Sequence, residues 1–285
     1  MKNYLKLYES GYFTVGIMRE IANGLNLDLS GTYEDRRVLQ NTTDFALLNT
    51  SRVYSDNIPV NSYLAGGSNP INALRNQWHA DLITKFTYTP YQKYRMFNGN
   101  KSPAGSDWPT FSITWKHGIN EFSDMTDRIK QFDMLRLEIS KSLELGAFSE
   151  FMWRIRTGGF LDNRDLTFYD FFHFNTQPIL FLLNNYEDAF MLPAYYSMST
   201  PEFYGEVHLK YTTPYLLLKL LPVMSNTLMR ENLSLSYLGS RFHRNYTEIG
   251  YSISEIFFLA EAGVYVGFED VKYKSIGGKL IFKFN

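Results

Sequence analysis

The chain has 285 residues, 28 of them basic and 29 acidic, for a net charge of -1; this balance lacks the basic excess with which nucleic-acid binders meet phosphate. Cysteine is absent, which excludes a disulfide framework, thiolate metal sites and a Cys nucleophile. Mean hydropathy is -0.26, and no uncharged apolar run reaches the roughly 18 residues of a membrane-crossing helix.

Composition favours strands, since 23 Phe, 21 Tyr and 4 Trp bring the aromatics to 17% of the chain. The opening residues offer no secretory signal: Lys6, Glu9 and Arg19 interrupt any apolar run of the length a signal needs. Either the chain is cytosolic, or Met1 lies within a longer exported protein whose signal and first domains precede it. Alternating segments are predicted at 3–9 and 12–20, parted by a short turn at Ser10–Gly11. Over 23–39, Leu25, Leu27, Leu29 and Tyr33 alternate with Asn26, Asp28, Ser30 and Glu34. A long connection, 40–76, follows. Over 77–92, Trp78, Ala80, Leu82 and Phe86 alternate with Gln77, His79, Asp81 and Lys85. The 93–107 stretch holds Asn-Gly-Asn and Pro-Ala-Gly turn signals.

Alternation resumes at 108–118, 127–143 and 147–158, where Leu137 and Ile155 oppose Arg136, Glu138, Arg154 and Arg156. A second long connection, 159–199, is rich in Phe and Tyr. In the segment 200–213, Val207 and Leu209 oppose Glu206, His208 and Lys210. Tyr215–Met224 is apolar, and reads as a structured turn packed on the rim or as an interfacial anchor. Segments at 226–238, 243–255, 257–267 and 272–284 complete about twelve strands.

Most of these run about 10–16 residues, whereas soluble strands average about 5–6 and a tilted bilayer-spanning strand needs about 9–11. Length and strict period-two alternation together predict an all-β, antiparallel transmembrane β-barrel occupying 1–285 as one domain. Its apolar side chains face lipid and its polar ones a hydrated lumen. The two longest connections, 40–76 and 159–199, fall on the same end, as barrel loops do. Aromatics gather near strand ends, among them Tyr91, Trp108, Phe151, Tyr195, Tyr196, Tyr204 and Phe258, where an interfacial girdle would place them. Arg136, Glu138, Arg154, Arg156, Glu206, His208 and Lys210 are the expected lumen-facing polar network, because Arg or Lys on the lipid face costs about 2–4 kcal/mol at midplane.

The stretch Tyr195–Tyr211, with Leu217–Pro222, Arg230–Leu233, Arg19–Leu25, Tyr33–Arg36 and the closing Gly277–Phe284, resembles the C-terminal barrel of an uncharacterised Bacteroidota outer-membrane family. Proteins of that family carry a carboxypeptidase-regulatory-like domain before the barrel. Their barrel is similar to the surface-antigen superfamily, which includes the outer-membrane assembly factor. The resemblance implies the last twelve strands of a sixteen-stranded barrel, an outer-membrane location, and membrane lipid with periplasmic or outer-membrane proteins as partners. The superfamily's lumen loop carries an Arg-Gly-Phe motif. Here 159–199 has Gly158-Gly159-Phe160 at its start and Arg164 alone as arginine, so that assembly mechanism does not carry over.

No catalytic, metal or cofactor site is expected. His79, His117, His173, His208 and His243 show no metal-ligand spacing, there is no Gly-x-Ser-x-Gly elbow, and Gly66–Pro70 reads as a loop turn. The expected function is that of a non-enzymatic outer-membrane barrel in protein assembly, translocation or transport. Alternatives are the C-terminal part of a gated nutrient-uptake barrel and a soluble all-β binding protein. The sequence upstream of Met1 separates the first two, and a need for detergent excludes the last.

Overall fold

In the computed structural model, residues 6–40, 57–65, 74–122, 129–183, 188–220, 227–240 and 245–282 are described. Eleven long strands form one antiparallel meander: β1 Tyr8–Ala22, β2 Leu25–Val38, β3 Gln77–Tyr88, β6 Thr110–Glu121, β7 Ile129–Leu145, β8 Ser149–Phe160, β10 Tyr204–Thr213, β11 Arg230–Ser240, β12 Tyr246–Ile256, β13 Ala260–Glu269 and β14 Lys272–Phe282. A two-residue strand, β9 (Phe181–Leu182), adds to the far edge of β14 in parallel. Each long strand pairs with the next along the chain, so the sheet order follows the sequence.

Alternation sets the strands, and its outcome is inverted relative to a soluble protein. On β11, Leu233 and Leu235 are exposed while Asn232 and Ser236 are buried. Likewise Ile249 is exposed between Glu248 and Gly250, and Ile113, Leu135, Leu137 and Ile155 all face solvent. Glu206, His208, Glu231, Glu261 and Lys279 are buried. Burying that many polar groups is unfavourable unless each finds a partner. Most partners lie within the sheet, His208 with Glu206 and Ser252 with Glu261. The β10–β11 connection meets Glu231, and the 161–203 loop, which lies on the polar face of the sheet, supplies those of Lys279. Among the described residues no second sheet encloses the apolar side chains.

The loop touches every long strand. Examples are Tyr169 against Tyr8 of β1, with ring centroids 4.8 Å apart, Phe190 against His208 of β10, 4.9 Å, and Met191 packed with Tyr265 of β13 and Ile281 of β14. A flat sheet of eleven strands would be about 48 Å wide. The loop reaches both edges of the sheet, with Tyr169 at Tyr8 of β1 and Leu182 at Ile281 of β14, and side chains from the adjacent strands β2, β3 and β6 converge on its Asp170 carboxylate. Apolar clusters seal the loop against the sheet: Phe172, Phe190 and Met134 with Tyr204, Leu238 and Tyr246, and Phe132 with Leu166, Phe168 and Phe171. Gly158 makes room for this packing, because a Cβ there would lie 2.8 Å from the Tyr204 ring and 3.0 Å from that of Phe172.

Several expectations are corrected. The segments expected at 3–9 and 12–20 are not parted by a turn at Ser10–Gly11: Tyr8–Ala22 is one strand, β1, and residues 3–5 lie outside the described residues. Gly11 pairs with Asp35 in a ladder that runs regularly from Tyr8 to Glu20, and Ser10 donates to Glu34 at 2.6 Å. The 93–107 stretch folds as a small hairpin of its own, β4 Tyr94–Phe97 with β5 Asn100–Pro103. Gly158-Gly159-Phe160 ends β8 rather than opening the loop. Tyr204 faces inward and is buried, and Tyr196 packs on His173 in the loop at 5.3 Å, so neither belongs to an outer girdle. The twelve-stranded sheet is not closed into a barrel: among the described residues β1 has a neighbour on one side only. Gly66–Pro70, His243 and Phe284 lie outside the described residues.

Candidate functional site

The polar face offers three clamps, each gripping a different part of the 161–203 loop. The first stands on β2, β3 and β6. Arg36 donates to Asp170 at 2.8 Å and to Glu34 at 2.7 Å. Asn120 and Thr167 donate to the other Asp170 oxygen at 2.7 and 2.6 Å. His79 lies 2.7 Å from Asn120 and 3.1 Å from Asp81, which Lys116 also meets at 2.9 Å. Burial would raise the Asp170 carboxyl, but the charges of Arg36, His79 and Lys116 and the Thr167 hydroxyl outweigh it and hold the group below the usual carboxylate range.

Arginines of β8 make the second clamp. Arg156 donates to Glu138 at 2.7 Å and also binds Asp188 of the loop. Arg154 pairs with Asp188 at 3.0 Å, and Arg156 approaches Glu206 to 3.6 Å. Burial pushes the Asp188 carboxyl up, and the Arg156 and Arg154 guanidinium groups more than reverse this, leaving it lowered. Beside this cluster, Glu206, His208 and Ser236 form a row. A carboxylate can only accept, so His208 Nε2–H donates to Glu206 at 2.6 Å, with Ser236 2.9 Å from Nδ1.

The third clamp holds loop backbone. Glu248 accepts from the N–H groups of Met191 and Leu192 at 2.7 and 3.0 Å and from the Tyr246 hydroxyl at 2.8 Å. Lys279 donates to the carbonyls of Gln177 and Ile179 at 2.7 and 2.9 Å, which sets β9 on the edge of β14. Glu231 does the same for the β10–β11 connection, accepting from the N–H groups of Leu216, Leu217 and Leu218. In the described part of that connection, 214–220, Leu218 is buried while Tyr215, Leu217 and Leu220 are exposed; residues 221–226 lie outside the described residues. Residues 57–65, including the short helix α1 (Ser62–Ala65), lie over the loop, where Asn61 donates to the carbonyls of Tyr196 and Ser199.

Of the seven polar residues expected together, Glu138, Arg154, Arg156, Glu206 and His208 share one network. Arg136 stands apart, its guanidinium 5.5 Å from the Phe172 ring. Lys210 lines a small neighbouring cavity of about 30 Å³ with Asn232, Ser236 and Glu248. Sequence reasoning missed Asp170, Asp188, Glu248 and Lys279. Their only signal was two acids in an aromatic loop and two charges on the polar side of alternating strands.

Chemically, Ser236–His208–Glu206 has the residue types of a nucleophile, base and acid. Phe190 covers it, however, and the adjoining cavity has room for a water or two rather than an acyl group. Arg164 pairs with its neighbour Asp162 at the exposed start of the loop. Among the described residues no group of three or more His, Asp or Glu could hold a metal ion, and no helix is long and apolar enough to cross a membrane, which says nothing of strands.

These features define an all-β protein with its polar face folded around its own loop and its apolar face turned outward. The chain belongs to a family of unknown function, DUF5686, whose C-terminal domain matches residues 1–253. No curated protein matches the chain.

Proposed function

We propose that this chain is the membrane part of a non-enzymatic outer-membrane β-barrel, with the 161–203 loop filling its lumen. The supporting observation is the reversed polarity of the faces: leucines and isoleucines point outward at mid-strand while Glu206, His208 and Glu248 are buried. Charged outward positions fall towards strand ends, with Glu9, Asp35 and Arg37 at one end and Arg19 and Glu255 at the other. In water such an exterior would expose far more contiguous apolar surface than soluble proteins carry. In a bilayer it is the expected exterior.

Strand parity extends this reading. Among the described residues, eleven long strands in a meander leave β1 and β14 running the same way. Bacterial single-chain barrels have even strand numbers and antiparallel closure, so closure here requires an odd number of further strands, and five would make the sixteen of the surface-antigen type. The proposed work is assembly, translocation or transport across the outer membrane, with lipid outside and protein partners at the ends. A filled lumen also suits a gated uptake barrel, in which the loop would have to move.

The test is behaviour during extraction. The chain should fractionate with outer membranes, need detergent to stay dispersed and show heat-modifiable gel mobility. Leu209→Arg, outward, should impair assembly much more than Lys210→Leu, inward. A detergent-free, monodisperse folded chain, or equal effects of the two substitutions, would contradict the proposal.

A further inference from the structure

Beside the second clamp, towards the β7–β8 turn, the polar face holds a cavity of about 500 Å³. That size falls within the range of about 300–1,000 Å³ typical of small-molecule sites. Strand register builds its wall as one cross-strand row. The Thr89 hydroxyl lies 3.0 Å from that of Thr110, Thr110 pairs with Ser140, and Ser140 pairs with Arg154. The next step of the row, on β10, is His208. A line of hydroxyls therefore leads to the guanidinium that holds Asp188 of the loop. Ser142 and Met152, paired one row nearer the turn, and Trp108 of the β3–β6 connection line its sides.

The charged groups that line this cavity are both positive, Lys141 and Arg154. By contrast, the cavity beside Lys210 also holds Glu248 and Glu261, and another sets Lys274 against Glu269. The acids nearest the cavity are engaged, Glu138 by Arg156 at 2.7 Å and Glu150 by the Ser142 hydroxyl. Lys141 donates to the carbonyls of Ser106 and Trp108, which leaves one of the three ammonium donors. Arg154 Nε, 3.4 Å from Glu138, is buried without a hydrogen-bond partner. Hydroxyls can both donate and accept, so such a wall suits a ligand that carries hydroxyls of its own. We propose that this cavity binds a small hydroxylated anion, a sugar bearing a carboxylate or a phosphate. Its charged group meets Arg154 and Lys141, and its hydroxyls lie along Thr89, Thr110 and Ser140. Because Arg154 also holds Asp188 at 3.0 Å, an arriving anion competes with the loop for that guanidinium and leaves Asp188 to Arg156 alone. Ligand binding and loosening of the loop at Asp188 are then linked in both directions. The site does not depend on what surrounds the outer face, so it stands or falls separately from the membrane reading.

Calorimetric titration of the full chain in an uncharged detergent, with glucuronate, glucose 6-phosphate, glucose and inorganic phosphate in turn, separates the parts of the proposal. At least one of the two sugar anions should bind about tenfold more tightly than either glucose or inorganic phosphate, and which of them does so states whether the site reads a carboxylate or a phosphate. Glucose binding as tightly as both sugar anions would overturn the role of the cations. Inorganic phosphate binding as tightly as glucose 6-phosphate would overturn the hydroxyl wall, and no binding of either sugar anion would overturn the site. Thr110→Val and Lys141→Met remove cavity groups without touching the loop. Each should weaken binding by about tenfold while amide exchange of the unliganded loop stays at the parent rate; parent affinity in both variants would contradict the proposal. With the site saturated, exchange across 188–192 should rise by about tenfold. Unchanged exchange with ligand bound would show that the anion does not compete with Asp188.

Discussion

Val271 follows Asp270 in the two-residue turn between β13 and β14, at φ 68° and 47° respectively. Such a turn matches the twist of a hairpin but needs left-handed backbone at both positions, which Gly and Asn supply most readily. A β-branched side chain there is strained, and Val271 is 93% exposed, so no contact offsets the strain. Val271→Gly should therefore stabilise the fold by about 1 kcal/mol, read as a higher urea midpoint in reconstituted protein. Asp170 is the opposite case. Its side chain is fully buried against Arg36, and removing one member of a buried pair costs about 3–5 kcal/mol. Asp170→Asn should open the 161–203 loop to proteolysis, and Asp170→Leu combined with Arg36→Met should restore much of its protection. The Asp170 carboxyl is lower in the fold than in an unfolded chain. Its contribution is then complete above about pH 4 and drains only as pH falls through the folded value. Loop protection should stay level from pH 8 to 5 and fail in stronger acid; loss already at pH 6 would assign the anchor to another group.

At the level of the strand, most of the architecture was legible. The sets Leu233, Leu235 against Asn232, Ser234, and Val207, Leu209 against Glu206, His208, state directly which residues share a face, because a period of two admits one assignment, whereas a slip by two residues would leave the faces unchanged. The break placed at Ser10–Gly11 failed because a local turn signal was overruled by a ladder to residues more than twenty positions away, from Ser10 to Arg36 and Gly11 to Asp35. The loop anchors were illegible for the same reason in stronger form. Arg36 and Asp170 lie 134 positions apart, and nothing near either one names the other. β9 is a further such element. Two residues of parallel pairing are held by the Lys279 ammonium on two carbonyls, and a hydrogen bond to a charged group is worth about 1.5–3 kcal/mol. Lys279→Met should speed amide exchange across 177–182 by at least about tenfold, with β13–β14 pairing unchanged. Unchanged exchange would show that the apolar seat around Leu182 and Met191 suffices.

On the scale of the molecule, one inversion organises the rest. A sheet whose polar face is inside must fill that inside with something that satisfies charge, and the loop does so with Asp170 and Asp188, with backbone N–H groups offered to Glu248 and with carbonyls offered to Lys279. What surrounds the outside follows from the same alternation. The most direct test is a cysteine scan along β11 from Asn232 to Tyr237 in reconstituted vesicles, with quenching by lipids brominated in the acyl chain. The proposed barrel predicts strong quenching at 233, 235 and 237, weak quenching at 232, 234 and 236, and the reverse order for aqueous iodide. Quenching that is uniform along the strand, or absent from the leucines, would contradict an outer face dissolved in lipid.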